Sequence, residues 1–459
     1  MHKITIPRGA KAIVQGLRYA HHEAYVVGGC VRDSLLGLEP KDWDICTSAT
    51  PEEMKEYFTR CSVRTIDTGL KHGTITVDME QSGKFEVTTF RIDGDYSDNR
   101  HPDSVEFTDS IYKDLSRRDF TINAMAYNQA GLVDPFHGRE DLESGVIRCV
   151  GNPDDRFNED ALRILRAMRF ASTYGFIIEE STSQSIHRNK SLLKNIAAER
   201  IQSELCKMLC GKGILNVLLE YSDVIATIIP EMQPCVGFDQ NNRFHEYNVY
   251  EHIAHAVSNY DGDDIVVKVS LLLHDIGKPH CYTVDHKGGH FYGHGVFSHD
   301  ISEKVLTKLR FDNKSKSDIL ELVLHHDAII EPTPKTVRRW LNKIGEEQFV
   351  RLLNIRMADI QAHAKDTQES RIERCAALGV ILEEVIKSNQ CFKMKDLAID
   401  GYDVMNLLYL SEGKAVGAVL NEVLEKVING ELPNDRVALV SYLVKEKYQE
   451  VMGNGQKES

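Results

Sequence analysis

Ala24-Tyr25-Val26-Val27-Gly28-Gly29-Cys30-Val31-Arg32-Asp33-Ser34-Leu35-Leu36, followed shortly by Lys41-Asp42-Trp43-Asp44-Ile45, decides how this chain is read. The run Ala24–Val27 is short, β-rich and stops at two glycines, and the residues from Cys30 onward predict a helix. Paired glycines let backbone N–H groups approach a phosphate closely, and a helix N-terminus adds a favourable dipole. Arg32 would add a charged fork. Taken alone, the same pattern fits a plain tight turn. Asp42 and Asp44 strengthen the phosphate reading. Two apart on a predicted strand, their carboxylates project to one side. Neighbouring carboxylates repel unless a cation lies between them, and Mg²⁺ favours a few carboxylates plus phosphate oxygens. The alternative is a pair of solvated turn acids. A later strand signal, Lys84-Phe85-Glu86-Val87-Thr88-Thr89-Phe90, places Glu86 where it would complete a carboxylate triad. Such a site supports in-line attack of a 3′-hydroxyl on an α-phosphate with pyrophosphate leaving.

Outward from this stretch, Thr50-Pro51-Glu52-Glu53 is a helix start with a capping box, and Ala161–Phe170 has helical periodicity. From about Asp154 the chain reads as almost wholly helical. Its 459 residues are 42% hydrophobic and 27% charged, which excludes a largely disordered chain. Lys+Arg 55 against Asp+Glu 69 gives a net charge of −14, which speaks against unspecific charge-driven binding of nucleic acid over the whole surface. A local basic groove remains compatible with it. No apolar run approaches the roughly 20 residues of a membrane span. The N-terminus lacks a secretory h-region, and the ten cysteines form no CxxC pair. A reduced, cytoplasmic protein is expected.

Val27-Gly28-Gly29-Cys30-Val31-Arg32-Asp33 and Lys41-Asp42-Trp43-Asp44-Ile45-Cys46-Thr47 together resemble the catalytic head of class II tRNA nucleotidyltransferases, the CCA-adding enzymes, a group that also includes bacterial poly(A) polymerases. Further stretches resemble that family in its own order: Arg117-Arg118-Asp119-Phe120-Thr121-Ile122-Asn123, a ribose- and metal-proximal motif; Leu132–Leu142, a hinge; Glu159-Asp160-Ala161-Leu162-Arg163, the base-reading element; and Ala198-Glu199-Arg200-Ile201 in the neck. The resemblance implies nucleotide-binding roles for Gly28, Gly29, Arg32, Arg117, Asp119, Asn123, Asp160, Arg163, Arg166 and Arg169. It also implies catalytic, Mg²⁺-holding roles for Asp42 and Asp44, with Glu86 beside them.

Physical reasoning supports the base-reading element independently. Asp160 and Arg163, three apart, would share a helix face and present acceptors and donors that pair with cytosine and adenine. A wrong base would leave buried polar groups unpaired. A surface ion pair is the alternative. Arg166 and Arg169 continue the spacing as a stripe facing triphosphate or RNA. In the family, the loop between Phe90 and Arg117, with Arg100 in it, is implied in the switch from CTP to ATP. This chain keeps that loop.

The nineteen histidines carry a second signal. His252, Leu271-Leu272-Leu273-His274-Asp275, His294, Val323-Leu324-His325-His326-Asp327 and Asp359 provide imidazoles and carboxylates on predicted helices, a usual divalent-metal set. The pattern resembles HD-superfamily phosphohydrolases. It implies an unidentified divalent metal held by His252, His274, Asp275 and Asp359, with His294 and His325 as ligands of a second ion. Two uses stay open: hydrolysis of a phosphoester, such as a 2′,3′-cyclic phosphate at an RNA end, or an inherited module for folding or RNA docking. Lys335–Lys343, basic with one Trp, would grip RNA phosphates or form a solvated helix face.

The expected fold is α+β: a polymerase-β-like nucleotidyltransferase head with a small mixed sheet (1–150), an all-helical neck with the base-selecting motif (151–235), an HD domain (236–365) and a helical, tRNA-binding tail (366–459). Expected partners are the tRNA acceptor arm and 3′ end, CTP and ATP, with no membrane. The oligomeric state stays undetermined. The expected function is template-independent addition of C, C and A to the tRNA 3′ end. The alternatives are a poly(A) polymerase, a CC- or A-only adding enzyme, and an HD phosphohydrolase with an RNA-binding head.

Overall fold

The β-rich runs of the N-terminal part assemble into one sheet. Its strands are β1 (Ala24–Val27), β2 (Ile45–Thr47), β3 (Arg64–Gly69), β4 (Thr74–Asp78) and β5 (Lys84–Thr89), joined after a separate ribbon of β6 (Arg91–Asp93) and β7 (Val105–Phe107) by β8 (Ala126–Asn128) and β9 (Gly131–Val133). The computed structural model describes residues 4–94, 104–286, 288–387 and 393–447. The loop around Arg100 lies outside the described residues. Sheet order is β3-β4-β5-β2-β1-β8-β9. β2 and β5 run parallel, and the other neighbours run antiparallel, so the sheet is mixed. The predicted strand at Asp42–Ile45 is corrected. β2 begins only at Ile45, because Asp side chains are poor strand formers that favour water over a pleated, half-buried surface. Apolar residues of the sheet and its flanking helix, among them Val27, Cys46, Phe90, Leu115 and Ala126, form the core beneath the strand ends.

The helix start at Thr50 forms as predicted. The Thr50 hydroxyl accepts from Glu53 N–H and the Glu53 carboxylate accepts from Thr50 N–H, capping the helix Pro51–Arg60. In the helical part, Leu162–Tyr174 buries Ile164, Leu165, Ala167 and Met168 and packs against Ala198–Leu209. Gly211 permits a close approach there: a Cβ would lie 2.2 Å from the Ser172 hydroxyl oxygen.

The described residues divide into two compact units. One contains residues 1–236 with 304–311, the other 237–303 with 312–459. Neither helical region is purely helical. Val146–Ile147 pairs in parallel with Ile177–Ile178, and Thr283–Asp285 pairs with Gly288–His290 as a ribbon. The second unit is otherwise built of helices. Its C-terminal part has its own core, including Val404, Val423, Ile428, Leu439 and Leu443. The basic stretch at 335–343 serves this packing. Arg338 Nε donates to the Ile428 carbonyl at 2.9 Å, and Arg339 donates to Asn429 Oδ1 at 2.9 Å. These two side chains therefore tie the helix to the C-terminal core.

Candidate nucleotidyl-transfer and metal sites

β1 ends at Gly28, whose φ of +77° only glycine takes without strain. A Cβ at Gly28 would meet Arg118 Nη1 at 3.0 Å, so the bare backbone is what admits Arg118 beside it. Gly29 opens the helix Gly29–Leu35. Asp44 lies at the end of the same layer: its carbonyl accepts the Val27 N–H at 3.0 Å. The parallel register Ile45↔Val87, continued one residue back, sets Asp44 beside Glu86. Asp42, Asp44 and Glu86 line one cleft with Lys41, Trp43 and Lys84. Asp44 and Glu86 also line an adjoining pocket with Arg91, Asp114, Arg117 and Arg118. All three acids are exposed.

Their electrostatics fit a cation. Loss of hydration pushes the Asp44 carboxyl up. Arg118 opposes that, while Glu86 and Asp42 add to it by like-charge repulsion. The three do not form a closed cage: among the described residues, the side-chain groups with all ligand atoms within 4.8 Å of one another lie elsewhere. An open set of carboxylates, completed by phosphate oxygens, is the arrangement Mg²⁺ accepts.

A polar network runs from Arg32 to Arg166. Arg32 Nη1 donates to Asn123 Oδ1 at 2.6 Å, and Asn123 Nδ2 donates to Asp119 Oδ1 at 3.0 Å. Arg166 Nη2 in turn donates to Asp119 Oδ2 at 2.6 Å. Burial works against charge on Asp119, yet Arg166, the Asn123 amide and Arg163 outweigh it and hold its carboxyl well below the usual range. Asp114 is a second hub. It accepts from Arg117 Nη2 at 2.8 Å and Arg118 Nη2 at 3.2 Å, and those two arginines hold it low against its burial.

Asp160, Arg163 and Arg166 line one open pocket with Arg117, Asp119 and Arg200. The shared helix face expected for Asp160 and Arg163 is corrected. The helix Pro153–Glu159 ends at Asp160, which is extended (φ −135°, ψ 102°), and the next helix begins at Leu162. Asp160 Oδ1 caps the Leu162 N–H at 3.0 Å and its Oδ2 pairs with Arg200 at 3.0 Å. Arg163 pairs with Glu159 at 2.6 Å and donates to the Arg117 carbonyl at 3.1 Å. Both side chains are thus fixed by different partners around one opening. Arg169 leaves the expected stripe: it pairs with buried Glu204 at 2.8 Å and covers the Phe170 ring. The sequence reading missed Asp114, and it placed Arg118 and Arg200 in motifs without giving either a site role. The only signal for Asp114 was its spacing of three and four residues before Arg117 and Arg118.

The histidine set of the second unit lies in its interior. His252, His274, Asp275 and Asp359 form one candidate metal group, and Asp275, His294 and His326 form another. Asp275 joins the two. Its Oδ2 lies 3.3 Å from His252 Nε2 and 3.2 Å from His274 Nε2, and its Oδ1 lies 3.3 Å from His294 Nε2 and 3.6 Å from His326 Nε2. In each imidazole, Nδ1 faces a backbone carbonyl: that of Ala362 for His252, Leu271 for His274, Phe291 for His294 and Val323 for His326. With Nδ1–H donating outward, the Nε2 lone pairs point inward, as metal-ligating histidines require. Burial disfavours charge on His274, but Asp275 and Asp359 raise its imidazole to about 10, so a bound ion would displace a proton there.

His325, expected as a ligand, is corrected to His326. One residue turns a helical side chain by about 100°. His325 therefore stacks edge-on against Trp340, ring centroids 5.2 Å apart, while His326 Nε2 reaches His294 Nε2 at 3.0 Å. Sequence reasoning also missed His245 and His363, which group with His252.

A mixed sheet carrying a Gly-Gly–helix unit and strand-end carboxylates beside a basic pocket defines a nucleotidyltransferase head. Residues 24–148 match the poly A polymerase head domain, 175–235 a probable RNA and SrmB-binding site of polymerase A, and 296–443 a putative tRNA nucleotidyltransferase domain 2. The CCA-adding enzyme of Limosilactobacillus reuteri is 32% identical over 450 residues, 97% of this chain and 97% of that protein. That of Ligilactobacillus salivarius is 48% identical over 215 residues, 47% of this chain and 52% of that protein. The crystal structure of the Bacillus stearothermophilus CCA-adding enzyme in complex with CTP aligns with a TM-score of 0.72 at 28% identity, covering 97% and 98% of the two chains. The chain belongs to the family of CCA-adding enzymes. Among the described residues, no helix is long and apolar enough to cross a membrane.

Proposed function

We infer that this chain adds C, C and A from CTP and ATP to the 3′ end of tRNA, releasing pyrophosphate at each step. The observation that carries this reading is the placement of Asp42, Asp44 and Glu86 in one cleft, next to the glycine turn and Arg118. Gly28, Gly29, Arg32 and Arg117 hold the triphosphate. Asp42 and Asp44 would hold Mg²⁺, which when bound supplies charge neutralisation and a more acidic 3′-hydroxyl. Asp160 and Arg163, fixed by Arg200 and Glu159, present acceptors and donors to the incoming base. The functional segments are the head (1–150), the neck (151–235), the HD domain (236–365) and a tail (366–459) that binds the acceptor arm by shape and backbone contacts, as is usual for duplex RNA. With CTP alone and tRNA lacking its terminal CCA, the protein should incorporate cytidine. Failure to do so, with incorporation of ATP intact, favours a poly(A) polymerase.

A second reading rests on the inward-pointing Nε2 atoms around Asp275. We propose that the second unit holds divalent ions there and hydrolyses a phosphoester. The ions would supply Lewis-acid chemistry, while the backbone carbonyls fix the ring orientations. Atomic emission on the purified chain should find metal beyond Mg²⁺. A metal-free chain that regains no bound metal on reconstitution contradicts this reading.

A further inference from the structure

The helix Leu162–Tyr174 carries Arg163 and Arg166 in its first half and ends on a tyrosine that reaches back to the helix Gly29–Leu35. The Tyr174 hydroxyl donates to Asp33 Oδ1 at 3.0 Å. The same oxygen accepts from Arg32, whose Nε and Nη2 both lie 2.9 Å away. Arg32 Nη1 donates to Asn123 Oδ1. Together these contacts use three of the five N–H donors of a guanidinium. The unused donors belong to Nη1 and Nη2, and Nη2 borders the glycine turn: a Cβ at Gly29 would lie 3.5 Å from it. The guanidinium carbon also lies over two rings, 5.0 Å from the centroid of Phe170 and 5.2 Å from that of Tyr174, and those rings stack on each other at 6.2 Å. Tyr174 therefore touches both members of the Arg32–Asp33 pair, the arginine with its ring and the carboxylate with its hydroxyl. A carboxylate torsion is broad and roughly two-fold, so a second donor on one oxygen narrows it. Burial pushes the phenol up to about 12, with Arg32 opposing that and Asp33 adding to it, so the hydroxyl stays a neutral donor at neutral pH. Packing alone would be served by a phenylalanine ring.

We propose that Tyr174 is a positioning residue for nucleotide binding: its hydroxyl locks the Asp33 carboxylate and, through it, turns the unused N–H edge of Arg32 toward phosphate at the glycine turn. The role rests on the reading that Arg32 holds the triphosphate. It acts on phosphate and not on the base, so CTP and ATP feel it alike.

Tyr174→Phe keeps the ring and removes only the hydroxyl. Isothermal titration of the full-length variant with inorganic tripolyphosphate should show binding weakened about fivefold, the size of one net hydrogen bond. In nucleotide addition to trimmed tRNA, KM should rise by about the same factor for CTP and for ATP, while kcat and the KM for tRNA stay close to wild type. A role confined to packing would lower the melting temperature and leave tripolyphosphate affinity and both nucleotide KM values unmoved. That result overturns the proposal, as does a rise in KM for one nucleotide alone. Asp33→Ala supplies a second arm: in that background Tyr174→Phe should weaken tripolyphosphate no further, whereas additive losses overturn the route through Asp33. Arg32→Ala separates this role from the reading beneath it. A chain with that substitution that binds tripolyphosphate as tightly as the wild type refutes the arginine fork and the proposal with it. Weakened binding there, with none lost in Tyr174→Phe, refutes the positioning role alone.

Discussion

The two carboxylate-bearing sites of this chain are built on opposite principles. In the head, Asp42, Asp44 and Glu86 are exposed, come from a loop and one strand, and repel one another across an open cleft. In the second unit, His252, His274 and Asp275 are fully buried, and the imidazoles are each tied through Nδ1 to a backbone carbonyl. The first site leaves its carboxylates open to a cation and to phosphate oxygens. The second has its ligand geometry set by the fold. An open acidic set stays accessible to exchangeable ligands, whereas a buried imidazole set has its donor atoms oriented before any ligand arrives.

Substitutions can break this contrast. The largest effect belongs to the open site. Asp42→Ala together with Asp44→Ala should lower cytidine incorporation into trimmed tRNA by about a thousandfold or more, since the charge-stabilising ion is lost. Thermal stability should hold or rise slightly, because repulsion is relieved. A fall in melting temperature would place these acids in the structural framework instead.

The buried site should respond in its metal content. Asp275→Asn should release both ions, His326→Ala one of the two, and His325→Ala neither, as read by atomic emission on the purified variants. Equal losses for His325 and His326 would contradict the geometry described here.

Between the two extremes lies Asp119, buried in the head and held low by Arg166, Asn123 and Arg163. Its folded pKa is below its unfolded value. Its contribution to stability is therefore present above the ordinary carboxylate range and is lost progressively as the pH falls below that range toward the lower folded pKa. Asp119→Asn should cost about 3 kcal/mol at neutral pH, as for one partner removed from a buried pair, and should flatten the acid limb of stability against pH. Denaturant titrations at several pH values read both effects. Smaller again is Thr50→Ala, at about 1 kcal/mol for a lost cap.

How legible each site was in the sequence follows from the same contrast. Asp42 and Asp44 sit two residues apart, soon after the glycine turn and its short helix, so local spacing revealed them, although the strand on which they were expected begins only at Ile45. The pair expected to read the base was legible as residues but not as geometry: the helix breaks at Asp160, and its partner Arg200 comes from forty residues further on. The imidazole cluster is assembled from segments more than a hundred residues apart, so residue types pointed to a metal while nothing local distinguished His325 from His326. His245 and His363 carried no such signal, since lone histidines are common in cores. Arg338 and Arg339 read equally as an RNA grip, and only the packed C-terminal helix gives them another role.

The most direct test is to incubate the full-length protein with tRNA lacking its terminal CCA, with CTP and ATP together, and to sequence the RNA 3′ ends. The account predicts ends that finish in CCA and stop there, and no extension by the chain lacking the Asp42 and Asp44 carboxylates. Runs of adenosine, or unchanged extension by that double variant, would contradict it.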